Sequence, residues 1–193
     1  QVFVLLVLFL VLYFLLQKFL PKPVAIFALL FAMFDPFYLS QHRLMDHEGM
    51  VSLFVLISLV SLAYYLFKGG SFPFLILAGV AAGFAQLSKS SSIAMLASLG
   101  VLLLWKMIQD RGLGWGRAFV GVLKTFGLWF LFLAITYFVF WPGMWVAPGK
   151  MLYEVFGNAF SYAFQGARLK ITEELDVAQF TLNTRFADIW DVF

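Results

Sequence analysis

The sequence predicts an all-α fold: a polytopic membrane helical bundle with about six transmembrane helices and a short outward amphipathic C-terminal segment. Three observations predict it. Of 193 residues, 63% are hydrophobic and only 12% are charged, about half the ~25% charge of a soluble domain, so no soluble surface can be assembled from them. The apolar residues run continuously instead of alternating, which argues against the strands of a membrane barrel. Charge-free stretches also recur near the ~20 residues that a helix needs to cross a bilayer, where a helix satisfies its own backbone hydrogen bonds. This composition excludes a soluble cytoplasmic enzyme, a disordered chain and a nucleic-acid-binding domain. The net charge of +3, from 13 basic and 10 acidic residues, is too small a bias to form a basic patch. With no cysteine, disulfides, thiolate metal sites and Cys nucleophiles are excluded as well.

The elements follow from the gaps between charges. Residues 1–17 carry no charge and predict a span over 2–17. The chain starts at Gln1 with hydrophobic residues immediately after it, and shows neither a basic leader nor a cleavage site; the expectation is that it begins inside a longer protein. The run 23–34 is short, so a second span over 23–40 must continue past Asp35-Pro36. The stretches 49–67, 69–88, 90–105 and 125–149 lack Asp, Glu, Lys and Arg. They predict spans over 50–67, 72–88, 91–106 and 118–140, so that 1–140 forms the transmembrane domain. After it the composition turns polar, with Pro142 and Pro148. Within 141–193, the aromatic stretch 150–164 reads as a helix on the outer membrane surface, ahead of a polar tail. The pair Trp141 and Trp145 fits an aromatic belt at a span end.

Lys and Arg in short loops set the orientation. Lys18, Lys22, Lys68, Lys106, Arg111 and Arg117 fall in one set of loops, against Arg43 and Lys89 in the other. The first set is therefore expected in the cytoplasm. The loops 35–49 and 88–90 face outward, in a multi-pass protein of the plasma or inner membrane.

Ionisable groups beside membrane spans are costly and mark function. They gather in two of the outward loops. His42, Arg43, Asp46, His47 and Glu48 lie within seven residues. On a helix, His42, Arg43 and Asp46 would share a face. The guanidinium keeps the carboxylate ionised and can grip a phosphate bidentately, while the carboxylate can hold an acceptor hydroxyl or a divalent metal. The plain alternative is an Arg–Asp pair capping a helix. A dedicated metal site is not expected, because a hard cation needs more oxygens and zinc needs ligands from several elements. The second cluster, Ser88-Lys89-Ser90-Ser91-Ser92, follows the small-residue stretch Gly79-Val-Ala-Ala-Gly83. A Lys with hydroxyls at a helix start can seat a phosphate; the competing reading is a snorkelling Lys.

Three strings in order carry a resemblance. AMFDPFYLSQHRLMDHEG, GVAAGFAQLSKSSS and WPGMWVAP resemble segments of dolichyl-phosphate-mannose–protein mannosyltransferases and aminoarabinose-transferase-like proteins, the GT-C membrane glycosyltransferases. The matching positions are Asp35, Pro36, Ser40, Arg43 and Asp46, then Gly79, Gly83 and Lys89, with Ser88 in place of Thr. Ser40 and Arg43 stand further apart than the family's adjacent Ser-Arg, and 166–193 has no counterpart. The resemblance implies transfer of a sugar from a polyprenyl-phosphate donor on the outer side of the membrane. It assigns Asp46 as the catalytic residue, and Arg43, Lys89, His42 and Ser88 to substrate or phosphate binding. It implies an upstream acidic loop as well, which this chain is expected to begin too late to contain. The partners implied are a polyprenyl-phosphate-linked sugar, membrane lipids and possible membrane-complex subunits, with no nucleic acid. The cofactor is left open, a divalent cation being the candidate. Two rival readings stand beside it: a non-catalytic, transferase-like subunit of a membrane complex, and a transporter, which the nearly charge-free span interiors disfavour.

Overall fold

The computed structural model describes residues 2–36 and 48–157, and among them it contains eight α-helices and no strand. Six helices build the bundle: α1 (Val2–Leu16), α2 (Lys22–Phe34), α3 (Glu48–Phe67), α4 (Phe72–Ser88), α5 (Met95–Gln109) and α6 (Trp115–Phe140). Two short ones, α7 (Gly143–Val146) and α8 (Pro148–Leu152), follow. Three helical runs are long and apolar enough to cross a membrane: Glu48–Phe67, Ser90–Gly112 and Trp115–Phe140. Val2–Leu16, Lys22–Phe34 and Phe72–Ser88 are apolar but shorter. The protein is an integral membrane helical bundle.

Phe3, Phe14, Phe27 and Phe31 are each more than 60% exposed. A surface that apolar suits lipid and not water. Small residues then serve to let helices approach closely, where lipid competes equally for large apolar side chains.

Local sequence explains where the helices start and stop. Pro23 and Pro73 stand in the first turns of α2 and α4, where a missing N–H costs nothing. The connection from α3 to α4 turns at Gly69, whose φ of +67° is left-handed and favours glycine. One boundary differs from the sequence expectation. Helix α2 ends at Phe34, with Asp35 extended at φ −60° and ψ 123°, instead of running on through Asp35-Pro36. The ring of Pro36 disfavours helical geometry in the residue before it, and that local restriction outweighs apolar continuity.

Helices α3 and α4 form an antiparallel hairpin, and α4 is sandwiched between α3 and α6. Leu62, Leu75, Ala78, Ala82, Leu99 and Trp129 fill the centre of that layer. Inside it, Trp129 Nε1 donates to Ser58 Oγ at 3.3 Å, tying α6 to α3 with a buried hydrogen bond. On the other side of the hairpin, Leu8, Leu12 and Leu15 of α1 pack with Leu29, Leu53 and Ile57.

Helices α4 and α6 come into near-backbone contact. A Cβ built on Gly79 would stand 2.5 Å from Phe132 Cβ, and one on Gly83 would stand 2.6 Å from Thr136 Cβ. Gly-x-x-x-Gly thus lets α6 ride on the backbone of α4, the close helix approach that small residues permit. The consequence for function is registration: the last turn of α4 is locked beside the last turn of α6.

Candidate functional site at one end of the bundle

Lys89 stands where α4 ends. Its backbone is extended at φ −159° and ψ 129°, and its N–H still donates to Ala85 O. A five-residue 3-10 turn, Ser90–Ala94, follows before α5. Lys89 therefore stands at the start of the helical run Ser90–Gly112, whose first turn is 3-10 and not α. The Lys89 carbonyl accepts from Ser92 N at 3.1 Å, so that the turn folds back over the end of α4.

The Lys89 ammonium pairs with the carboxylate of Glu48 in the first turn of α3. Both side chains are about two-fifths exposed. The hairpin makes this pair geometrically natural. Antiparallel helices of similar length, joined by a short turn, return the end of the second to the start of the first. Glu48 was recognised in the sequence only as a member of the acidic and basic loop cluster; hairpin arithmetic is the signal that predicts its pairing.

Beside the pair lies a cleft of about 350 Å³, lined by Ser88, Lys89, Ser90, Tyr137 and Trp141 among others. Tyr137 and Trp141 meet edge to face, with ring centroids 5.1 Å apart. Trp141 thus forms a cleft wall in addition to its place at a helix end. Trp145 Nε1 donates to Phe138 O at 2.7 Å, pinning α7 back onto α6. Ser88 Oγ donates to Phe84 O at 2.9 Å, so its proton is committed within α4.

A second hollow opens next to the first. It is an apolar groove of about 530 Å³ between the 3-10 turn, α5 and α6, with Ile93, Leu96, Phe130 and Leu133 in its walls. Met144 of α7 and Leu152 of α8 close one side. Gln86 and Tyr137 line both hollows, so the two meet at these side chains. An apolar slot that opens on a polar, lysine-bearing cleft can hold an amphiphile with a long apolar tail and an anionic head.

Not every sequence-expected residue can be placed. His42, Arg43 and Asp46 lie outside the described residues; Lys89 and Ser88 are at the cleft. Among the described residues no cluster of three metal-ligating side chains exists. Beyond residue 152, Tyr153–Gly157 forms a π-helical turn, and the remainder of the expected surface helix is outside the described residues. Gln86 and Tyr137 at the junction went unrecognised in the sequence. Their signal is helical spacing: Gln86 follows Gly83 by three residues, and Tyr137 adjoins the Thr136 that Gly83 touches.

The fold is that of an all-α integral membrane protein with a lysine-bearing cleft at one end of its bundle and an apolar slot beside it. The family model for dolichyl-phosphate-mannose-protein mannosyltransferase matches residues 1–129. The chain belongs to that family, and with it to the membrane glycosyltransferases of the GT-C type. No curated protein and no solved structure matches the chain.

Proposed function

We infer that this chain carries the donor-phosphate site of an inverting glycosyltransferase that takes a sugar from a polyprenyl-phosphate donor and passes it to a hydroxyl acceptor on the outer side of the membrane. The observation that carries the reading is the junction of the apolar groove with the Lys89 cleft, in a chain of this family. The isoprenoid tail lies in the groove between α5 and α6, and the phosphate lies against Lys89.

The chemistry requires charge and not an acid. In the transfer, the bond from the sugar's anomeric carbon to the phosphate oxygen breaks. The electron pair leaves with the lipid phosphate, which gains one negative charge. The acceptor oxygen forms the new bond and loses its proton to a carboxylate. A preorganised ammonium aimed at the departing phosphate stabilises the transition state. Lys89 fills that role, with Arg43 as the second cation and His42 completing the phosphate site, while Ser88, whose proton goes to Phe84 O, lines the cleft beside them. Asp46, two residues before Glu48 in the chain, orients Arg43 and the acceptor. The basic-loop count supports an outward-facing cleft.

The test is transfer by the full-length protein in proteoliposomes, with dolichyl phosphate mannose as donor and a serine-rich peptide as acceptor. Lys89→Ala should lower kcat by about a hundredfold, the scale of one lost electrostatic contact to a developing charge. Lys89→Arg should retain a measurable part. Transfer at the wild-type rate by Lys89→Ala overturns the assignment.

A further inference from the structure

Gln86 presents a polar group that nothing among the described residues uses. The residue is 9% exposed. It sits on α4 one turn beyond Gly83, on the side that α6 approaches most closely. Its Oε1 is buried and accepts no hydrogen bond from any of the described residues. A buried amide oxygen without a donor is destabilising, and an apolar residue of similar size would avoid that cost. Yet Gln86 lines both the apolar groove and the Lys89 cleft, so its side chain stands where the two hollows meet.

The chemistry of the vacant acceptor narrows what fills it. An amide oxygen accepts and cannot donate. An isoprenoid has no polar hydrogen, and a phosphodiester carries none at neutral pH. In a sugar phosphodiester with a polyprenyl tail, the only O–H donors are the hydroxyls of the sugar. We propose that Gln86 is a specificity residue of the donor site, accepting a hydrogen bond from a hydroxyl of the donor sugar while the phosphate rests on Lys89. The assignment rests on the donor reading above and deepens it. It divides the site into a Lys89 part that reads charge and a Gln86 part that reads the sugar.

Such a division discriminates between a sugar-loaded lipid and a spent one. The spent lipid phosphate keeps its contact with Lys89 but leaves Gln86 unmatched, so the site favours the loaded donor and helps product to leave. A site built to bind a hydroxyl rejects analogues that lack it, because its own polar group is then left without a partner.

Equilibrium binding of two probes to the full-length protein in nanodiscs tests this: dolichyl phosphate mannose, which carries the sugar, and dolichyl phosphate, which does not. In Gln86→Leu the first should bind about tenfold more weakly, the scale of one lost hydrogen bond. The second should bind as it does to the wild type, and that retained binding also reports an intact fold. Gln86→Met, unbranched and close to Gln in length, should behave in the same way. Equal weakening of both lipids, or no change in either, overturns the proposal while leaving the donor site standing. Wild-type protein that binds neither lipid overturns the donor reading itself, and this inference with it.

Discussion

Lys89 and Glu48 together decide how much positive charge the cleft presents. An ion pair this exposed contributes at most about 1 kcal/mol, so Glu48 is not what holds α3 to α4. Its effect is on position. A lysine has a flexible stem, and the carboxylate restricts where its ammonium points. Glu48→Ala should therefore lower kcat/KM by about two- to fivefold, far less than Lys89→Ala, because up to ~1 kcal/mol is at stake. Glu48→Gln should recover most of the loss, since its amide oxygen still accepts from Nζ. In a Lys89→Ala background, Glu48→Ala should cause no further loss, because a residue that acts through another has nothing left to act on. Additive losses in this double-mutant cycle would give Glu48 a role independent of Lys89.

At the level of elements, α4 is the piece on which the site depends. Its Gly79 and Gly83 admit α6 to near-backbone contact, and this registers Gln86 against Tyr137. In Gly83→Ala the new Cβ would meet Thr136 Cβ at 2.6 Å and the Leu133 carbonyl oxygen at 3.0 Å. The second contact is with backbone and cannot rotate away. Overpacking of this kind costs about 1–3 kcal/mol, and the midpoint of thermal unfolding in detergent should fall accordingly. Gly127→Ala, on α6 with nothing within 4 Å, should leave the midpoint unchanged or raise it slightly, because alanine is the better helix former. Equal effects from the two substitutions would remove the close-approach role of Gly83. This contact was legible in the sequence, since Gly-x-x-x-Gly has one dominant meaning in apolar helices. The break at Asp35 was not legible in hydropathy, which ignores the restriction that Pro36 places on the residue before it. Lys89 was found from its isolation between apolar runs. Gln86 was not, because a single amide in an apolar helix has no pattern of its own; only its place beside Gly83, at the mouth of two hollows, distinguishes it.

On the scale of the whole molecule, the contacts between helices decide which ends lie together, and loop charge then predicts which end faces the cytoplasm. The Glu48–Lys89 pair joins the start of α3 to the end of α4, and Phe84 meets Phe140 at 4.9 Å between ring centroids, which adds the end of α6 to the same face. Phe19 packs on Tyr64, and Tyr64 on Phe74, so the α1–α2 and α3–α4 connections gather at the opposite face with Lys18, Lys22 and Lys68. An excess of Lys and Arg marks cytoplasmic loops, and the cleft is accordingly expected on the other side. Residues 1–193 contain no cysteine, so a single cysteine introduced among them reports its own side of the membrane once any cysteine outside them is replaced. Ser91→Cys, exposed beside the cleft, should react with a membrane-impermeant maleimide on intact cells. Gly112→Cys, exposed between α5 and α6, should react only after the membrane is permeabilised. The reverse pattern would leave the bundle as described but turn Lys89 to the cytoplasm, and a donor presented in the outer leaflet could not then reach it.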